Sequence, residues 1–401
     1  MSEAAQFHDL VVLLALAVIA PLIAQLARRI SISAVVLEIL LGILIGPQLL
    51  DLVSPGGVID TFGTFGLALL FFLGGFEIDP ARLRGQPMKL ASTAWAGSLA
   101  IGLSAGAVLA LYGVVVDSLI VGLALTTTAL GALVPILRDR GDLRSDFGAS
   151  VSANGAIGEF GPIVAIALLL AGDSPAVSSL LLLLFVALVV VALLLARLDR
   201  PAWFGKVLRS GLHTSSQLPV RMCLLLVALL VWVAAELGLD LLLGAFAAGV
   251  IVRFAVGEGD ADRDVEVFSQ KLEAIGFGVF IPIFFVKTGV SFDVDALFAS
   301  WVTILKVPFF LSLLLVARGV PVYLAHRKVG TGHDRLALAL YSATALPLIV
   351  AITTIGLDAG RMRPDNATAL VAAGMLSVLA FPVIAGRLRA TQRPAEESMY
   401  A

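Results

Sequence analysis

Apolar residues run along this chain in long blocks separated by short polar links. The blocks number about thirteen, each of roughly 17 to 25 residues, long enough to cross about 30 Å of hydrocarbon as a helix. Their cores fall near 10–27, 34–50, 61–78, 90–115, 118–137, 147–171, 175–196, 218–236, 240–256, 270–290, 297–325, 334–356 and 366–387. The pattern predicts an all-α polytopic membrane protein, with residues 1–401 as a single membrane domain. The first block follows MSEAAQFHDL, whose Glu3 and Asp9 differ from the basic flank of a secretory signal. The first helix is therefore expected to stay in the mature protein.

Composition agrees: 59% of residues are hydrophobic, 14% are charged and the mean hydropathy is +1.03, whereas soluble domains carry about 25% charged residues. The net charge of −2 matters less than where the charges fall. Most of the 27 Lys and Arg residues lie in links after odd-numbered blocks or in the C-terminal tail. Arg361 and Arg363 lie on the opposite side, and Lys287, Lys306 and Arg318 fall inside blocks. Positive charge is retained in the cytoplasm, so the N-terminus is expected outside and the C-terminus inside a multi-pass plasma (inner) membrane protein. The single cysteine, Cys223, excludes an internal disulfide and a thiolate metal cluster. About a dozen polar residues follow Arg389, so no soluble regulatory domain is expected there.

Internal similarity refines the architecture. LEILLG at 37–42 in the second block resembles LDLLLG at 239–244 in the ninth. Thr128-Ala129-Leu130, then Pro135, in the fifth resembles Thr344-Ala345-Leu346, then Pro347, in the twelfth. FFLGGFEID ending at Asp79 resembles FFVKTGVSFD ending at Asp293, in the third and tenth. Each pair is seven blocks apart, and an odd displacement reverses direction through the membrane. The chain is thus expected to hold two inverted repeats, 34–171 and 218–387, joined by a linker helix at 175–196. Inverted repeats belong to secondary transporters whose sites sit near the midplane on interrupted helices. The fifth block, TTTALGALVP, and the twelfth, YSATALPLIVAITT, each contain residues that weaken a helical ladder. Unwound backbone at that depth has to line a cavity or be buried in protein.

One acid stands out. Glu159, in ANGAIGEFGPIVAIALLL, lies about thirteen residues into the sixth block and so near mid-bilayer. An ionised carboxylate there is costly and usually faces a cavity or a partner. Poised between desolvation and a nearby cation, it can exchange a proton for a metal ion, the minimum chemistry of an antiporter. The alternative is a structural glutamate paired permanently with Lys287, Lys306 or Arg318. Ser152, Asn154, Gly155, Gly158 and Gly161 form a small-residue surface for close helix approach. Glu38 and Asp240 occupy mirrored positions that fit helix-end or gating salt bridges. His8, His213, His326 and His333 fall in terminal or loop regions, where surface exposure is expected. GEGDADRDVE at 257–266 lacks the ligand spacing of a calcium loop.

The segments LEILLGILIGP (37–47), GLALLFFLGGFEID (66–79), ALTTTALGALVPILRDRG (124–141), GLDLLLGAFAAG (238–249), PIFFVKTGVSFD (282–293) and SATALPLIVAIT (342–353) occur in the order seen in monovalent cation/proton antiporters. The chain resembles that family, which includes sodium/proton exchangers and the membrane domains of potassium-efflux proteins. The resemblance implies two crossed, unwound helices at the fifth and twelfth blocks, with Thr127, Thr128 and Thr344 as small hydroxyl positions. It implies that Glu159 binds the ion and carries the proton. The family's usual polar partner before that acid is replaced here by Gly158, and Asn154 stands nearly one turn earlier as a replacement ligand. Arg318 matches the family's basic residue after PIFFVKTG and is the first choice of counter-ion, holding Glu159 or a backbone carbonyl. Lys287 and Lys306 are the other candidates for that role.

The implied mechanism is alternating access, with blocks 3–6 and 10–13 moving against blocks 1, 2 and 7–9. One proton would exchange electroneutrally for one Na⁺, K⁺ or Li⁺, held by oxygen ligands. No cofactor is needed beyond the transported ions. Membrane lipid and a second copy in a homodimer are the expected partners, with no nucleic acid. A sodium-coupled solute symporter of the same architecture is the alternative. An enzyme or sensor has little support, since no Ser-His-Asp cluster, HExxH or phosphate loop is visible.

Overall fold

A computed structural model describes residues 3–26, 34–53, 55–77, 85–143, 145–169, 214–239, 241–256 and 262–390, with Leu180, 183–191 and Leu194. Among these residues every regular element is helical. In chain order they are α1 (Glu3–Leu26), α2 (Ala34–Ile45), α3 (Gly57–Phe76), α4 (Gln86–Leu111), α5 (Ser118–Ala124), α6 (Leu130–Asp139) and α7 (Asp146–Leu169). After the 175–196 block, half of which lies outside the described residues, come α8 (Leu218–Glu236), α9 (Leu241–Val256), α10 (Asp262–Ile275) and α11 (Ile281–Val290). The chain continues with α12 (Val294–Phe298), α13 (Trp301–Leu314), α14 (Val320–Ala325), α15 (Gly332–Ser342), α16 (Pro347–Asp358) and α17 (Pro364–Ala390). Each of the other blocks becomes helix, so this is the expected polytopic all-α fold of inverted repeats. Asp79, His213 and Asp240 also lie outside the described residues.

Two kinds of interruption occur. α10 runs into α11, and α13 into α14, through π turns at Gly276–Phe280 and Leu315–Gly319. Each π turn is followed within two residues by a proline, Pro282 or Pro321, whose missing N–H removes a ladder bond and opens the wider turn. The other kind is a full break. α5 stops before 125–129, and α15 stops before 343–346. In the first, the break falls on the threonine triplet, while Pro135 sits inside α6. The Thr126 and Thr127 hydroxyls bond back to Leu123 O and Ala124 O at 2.8 Å each, taking the carbonyls that a continuing helix would use. In the second, Pro347 opens α16 at its first turn, where no N–H is required.

The chain divides into two compact units. The first comprises 1–22, 37–79 and 163–291. Its helices meet backbone to backbone. α3 crosses α9 at Gly75 and Gly249, where any side chain on Gly249 would strike the Phe72 carbonyl. α11 crosses α2 at Gly289 and Gly42 in the same manner. These crossings exchange under the repeat, since α3 corresponds to α11 and α9 to α2. The second unit comprises 23–36, 80–162 and 292–401 and contains both broken helices. Blocks 3 and 10 therefore pack with the first unit, and the expected grouping of 3–6 with 10–13 narrows to 4–6 with 11–13. The glycine crossings are the reason, because they tie α3 and α11 to α9 and α2. Residues 337–349, which span the second break, are all buried within the protein, as unwound backbone in a membrane requires.

Candidate functional site

In the second unit the two breaks touch. Ala129 N–H donates to Thr344 O at 2.8 Å, and the Thr128 hydroxyl donates to Ser342 O at 2.6 Å. Thr128 N–H donates to Gly158 O on α7 at 3.0 Å. Ser377 on α17 accepts from Ala345 N–H at 3.0 Å. The backbone groups freed by the breaks are thus satisfied by one another and by neighbouring helices, which makes the crossing stable at depth. Thr126, Thr127, Thr128 and Thr344 are all buried.

α7 presents two faces to this crossing. On one, Gly155 packs against Leu130, and the Leu130 backbone N–H is directed at the Glu159 carboxylate. Leu130 is the first residue of α6, so the carboxylate lies at the positive end of a half-helix. Glu159 is 1% exposed, and its Oε2 has no hydrogen-bond partner. Such a buried, half-satisfied carboxylate has capacity for a proton, a water or a cation.

On the other face lie Asn154, Gly158 and Gly161. Arg318, carried on the π turn between α13 and α14, is fully buried against this face. It donates through Nε to Thr128 Oγ1 at 2.9 Å, through a terminal nitrogen to Asn154 O at 2.5 Å, and to Ser98 Oγ at 3.4 Å. All three acceptors are neutral. Arg318 therefore meets a backbone carbonyl and hydroxyls, while the α6 amino end is what meets Glu159. Gly158 makes this possible, because a methyl there would stand 2.7 Å from an Arg318 guanidinium nitrogen and on the Thr128 hydroxyl. Indole Nε1 of Trp95, whose ring packs against Gly161, and Oγ of Ser342 are further buried polar atoms without partners.

The other predicted residues go elsewhere. Lys287 belongs to the first unit and pairs with Asp60 at 3.0 Å. Lys306 on α13 bonds Asp365 Oδ2 at 2.6 Å and Asn366 Oδ1 at 2.7 Å, at the start of α17. Glu38 is buried in the first unit, one turn before Gly42. None of these meets Glu159 in the described hydrogen bonds. Sequence reasoning missed Ser98, Ser342, Ser377 and His326. Three of them are hydroxyls on apolar helices, indistinguishable from packing residues, and His326 sits just past a span in what reads as a loop. His326 is 1% exposed. Burial holds its imidazole below the ordinary histidine range; the Val322 carbonyl opposes this, and the charge of Arg318 adds to it.

Comparisons with known proteins identify the family. The family model described as "Sodium/hydrogen exchanger, transmembrane" matches residues 14–388. The putative Na(+)/H(+) antiporter YjbQ of Bacillus subtilis is 29% identical over 97% of this chain and 64% of its own length. The probable Na(+)/H(+) antiporter GerT of Bacillus cereus is 23% identical over 91% of this chain and 94% of its own. The glutathione-regulated potassium-efflux system protein KefC of Escherichia coli is 27% identical over 95% of this chain and 61% of its own. The chain thus spans somewhat under two thirds of YjbQ and KefC. The solved structure of the sodium proton antiporter MjNhaP1 from Methanocaldococcus jannaschii matches with a TM-score of 0.68 and 18% identity, covering 96% of this chain and 99% of that one. With an ordered set of motifs, two crossed broken helices and a family match across nearly its whole length, the chain belongs to the sodium/hydrogen exchanger transmembrane family, a family of secondary transporters.

Proposed function

We propose that this protein exchanges a monovalent cation, Na⁺ or K⁺, with Li⁺ also admitted by size and charge, for protons by alternating access, with Glu159 as the shared carboxylate. The observation that carries the reading is Glu159 itself, buried beside an unwound crossing with one carboxylate oxygen uncommitted. Protonation neutralises that oxygen, and a dehydrated alkali ion satisfies it equally well, so the two compete for one place. The hydroxyls of Thr127, Thr128 and Thr344, the unwound carbonyls and the orphaned Asn154 Oδ1 supply the hard oxygen donors such an ion takes. Arg318, held by neutral partners, fixes the crossing without competing for the carboxylate and without releasing protons of its own. With one titrating carboxylate in the site, the expected stoichiometry is one proton per cation and the exchange is electroneutral. The cargo ions are the substrates, and no cofactor takes part.

The spans 4–6 and 11–13 carry the site and are the unit that alternately exposes Glu159. The repeats are assigned to 34–171 and 218–387 with 175–196 as linker, and Glu38 and Asp240 to helix-end or gating roles. A plasma membrane homodimer with its N-terminus outside and C-terminus cytoplasmic completes the reading.

The test is cation-induced pH change inside proteoliposomes, with voltage clamped and separate Na⁺ and K⁺ pulses, for wild type and Glu159→Gln. Proton movement in wild type that vanishes in the variant is expected. Silence of wild type toward every alkali ion across the pH range would overturn the exchange reading and favour a sodium-coupled solute symporter.

A further inference from the structure

His326 is a buried ionisable side chain in the site-bearing unit to which the exchange chemistry assigns nothing. It follows α14 and lines a cleft of about 750 Å³, together with Ser145, Asp146, Ser150 and Asp334. Its two ring nitrogens meet different chemistry. Nδ1 lies 2.9 Å from the Val322 carbonyl, which can only accept, so Nδ1 carries the proton. Nε2 lies 3.5 Å from Asn154 Nδ2. That amide atom must be nitrogen, because it also sits 2.9 Å from the Ser150 carbonyl, where an amide oxygen would face another acceptor. Nε2 is therefore the acceptor, and the ring is the neutral Nδ1–H tautomer. The atom left over is Asn154 Oδ1, buried and without a hydrogen-bond partner. Asn154 stands on α7 one turn beyond Ser150, which lines the cleft, and before Glu159.

Resting on the exchange reading above, we propose that His326 is a positioning residue: with the Ser150 carbonyl it holds the Asn154 amide nitrogen, and so presents Asn154 Oδ1 to a partly dehydrated cation passing between the cleft and Glu159. An amide turned the other way would present N–H donors, which repel a cation. Arg318 takes the backbone carbonyl of the same residue at 2.5 Å. Asn154 is thus fixed through its backbone by one basic residue and steered through its side chain by another. The charged groups around the ring are Arg318 from the π turn, Asp146 from α7, Asp334 and Arg335 from α15, and Arg389 from α17. None is asked to exchange a proton with it.

Two measurements on the full chain test this. The first is the imidazole ¹⁵N spectrum in lipid nanodiscs at pH 7.5, with the His326 signals assigned by their loss in His326→Gln. The neutral Nδ1–H tautomer is expected; an Nε2–H tautomer or a protonated ring overturns the assignment. This readout needs no transport, so it decides the hydrogen bonding even if wild type exchanges no cation and the exchange reading falls. The second is exchange kinetics in proteoliposomes. His326→Leu is expected to raise the apparent KM for the cation about tenfold, as loss of one orienting hydrogen bond would, with turnover within about twofold. His326→Gln, whose Oε1 accepts from the same amide nitrogen, restores the wild-type KM. In an Asn154→Leu background, His326→Leu adds nothing further. Equal defects in the Gln and Leu variants, or additive effects with Asn154→Leu, overturn the proposal.

Discussion

Lys287 and Arg318 are both basic residues inside strongly apolar helical stretches, and the two units of the protein treat them in opposite ways. In the first unit, Lys287 lies along Gly63 and reaches Asp60, with side chains 26% and 49% exposed. It pairs with a carboxylate while both side chains stay partly exposed, so little is lost by its placement and little is gained. In the second unit, Arg318 is 0% exposed and is held by two hydroxyls and a carbonyl, with no carboxylate among its hydrogen-bond partners. A buried charge needs compensation, and here it comes from the Asn154 carbonyl on α7 and the Thr128 and Ser98 hydroxyls, with Gly158 leaving room for the guanidinium. The first unit is built from glycine crossings that bring backbones together; the second is built from breaks that leave backbone and side-chain oxygens facing inward. A charge that packing alone would expel marks the working region.

The largest effect should come from Arg318→Ala, which removes the donors that tie the Thr128 hydroxyl, the Asn154 carbonyl and the Ser98 hydroxyl together at the crossing. Exchange in proteoliposomes should fall at least about tenfold, and Arg318→Lys should fail to restore it, because one ammonium cannot reproduce a planar fork of donors. A restored rate with lysine would reduce Arg318 to a simple positive charge. Next comes Gly249→Ala, aimed at the other unit, where the added methyl meets the Phe72 carbonyl. Overpacking of this kind costs about 1–3 kcal/mol, so detergent melting should occur at lower temperature while the cation KM of the folded fraction stays put. A changed KM would mean that the glycine crossings tune the site. Lys306→Met should be milder than Arg318→Ala, since it leaves Asp365 still paired with Arg363 at 2.9 Å. A stability loss of about 1–2 kcal/mol, read by melting with normal exchange kinetics, would separate Lys306 from the ion path. The smallest effect is expected for Lys287→Gln. An ion pair this exposed contributes about 0–1 kcal/mol, and both melting and exchange should match wild type. A strong transport defect there would erase the contrast between the two units.

Much of this was legible in the chain. The threonine triplet and Pro347 marked the two breaks, and Glu159 stood out as an acid in an apolar block. The mirrored segments placed the broken helices as mates. The partner of Glu159 was not legible. The resemblance pointed to a basic side chain, Arg318 first, whereas the carboxylate faces the Leu130 N–H, a backbone donor whose direction depends on where α6 begins. The grouping of α3 and α11 with the first unit was hidden too, because Gly75 and Gly289 read as ordinary small residues until their facing helices were known.

By itself the sequence determined the apolar blocks, their number and their inverted pairing, because burial in a bilayer is set by composition over some twenty residues and needs no knowledge of neighbours. It also determined which acid was out of place. Tertiary structure decided what each buried polar atom faces. Gly158 leaves room for Arg318, Arg318 takes the Asn154 carbonyl, and His326 takes the Asn154 amide, although these residues come from spans 6 and 11, far apart in the chain. Hydrogen bonds act over about 3 Å, so their partners are fixed by how helices cross, which no local pattern of hydrophobic and polar residues records.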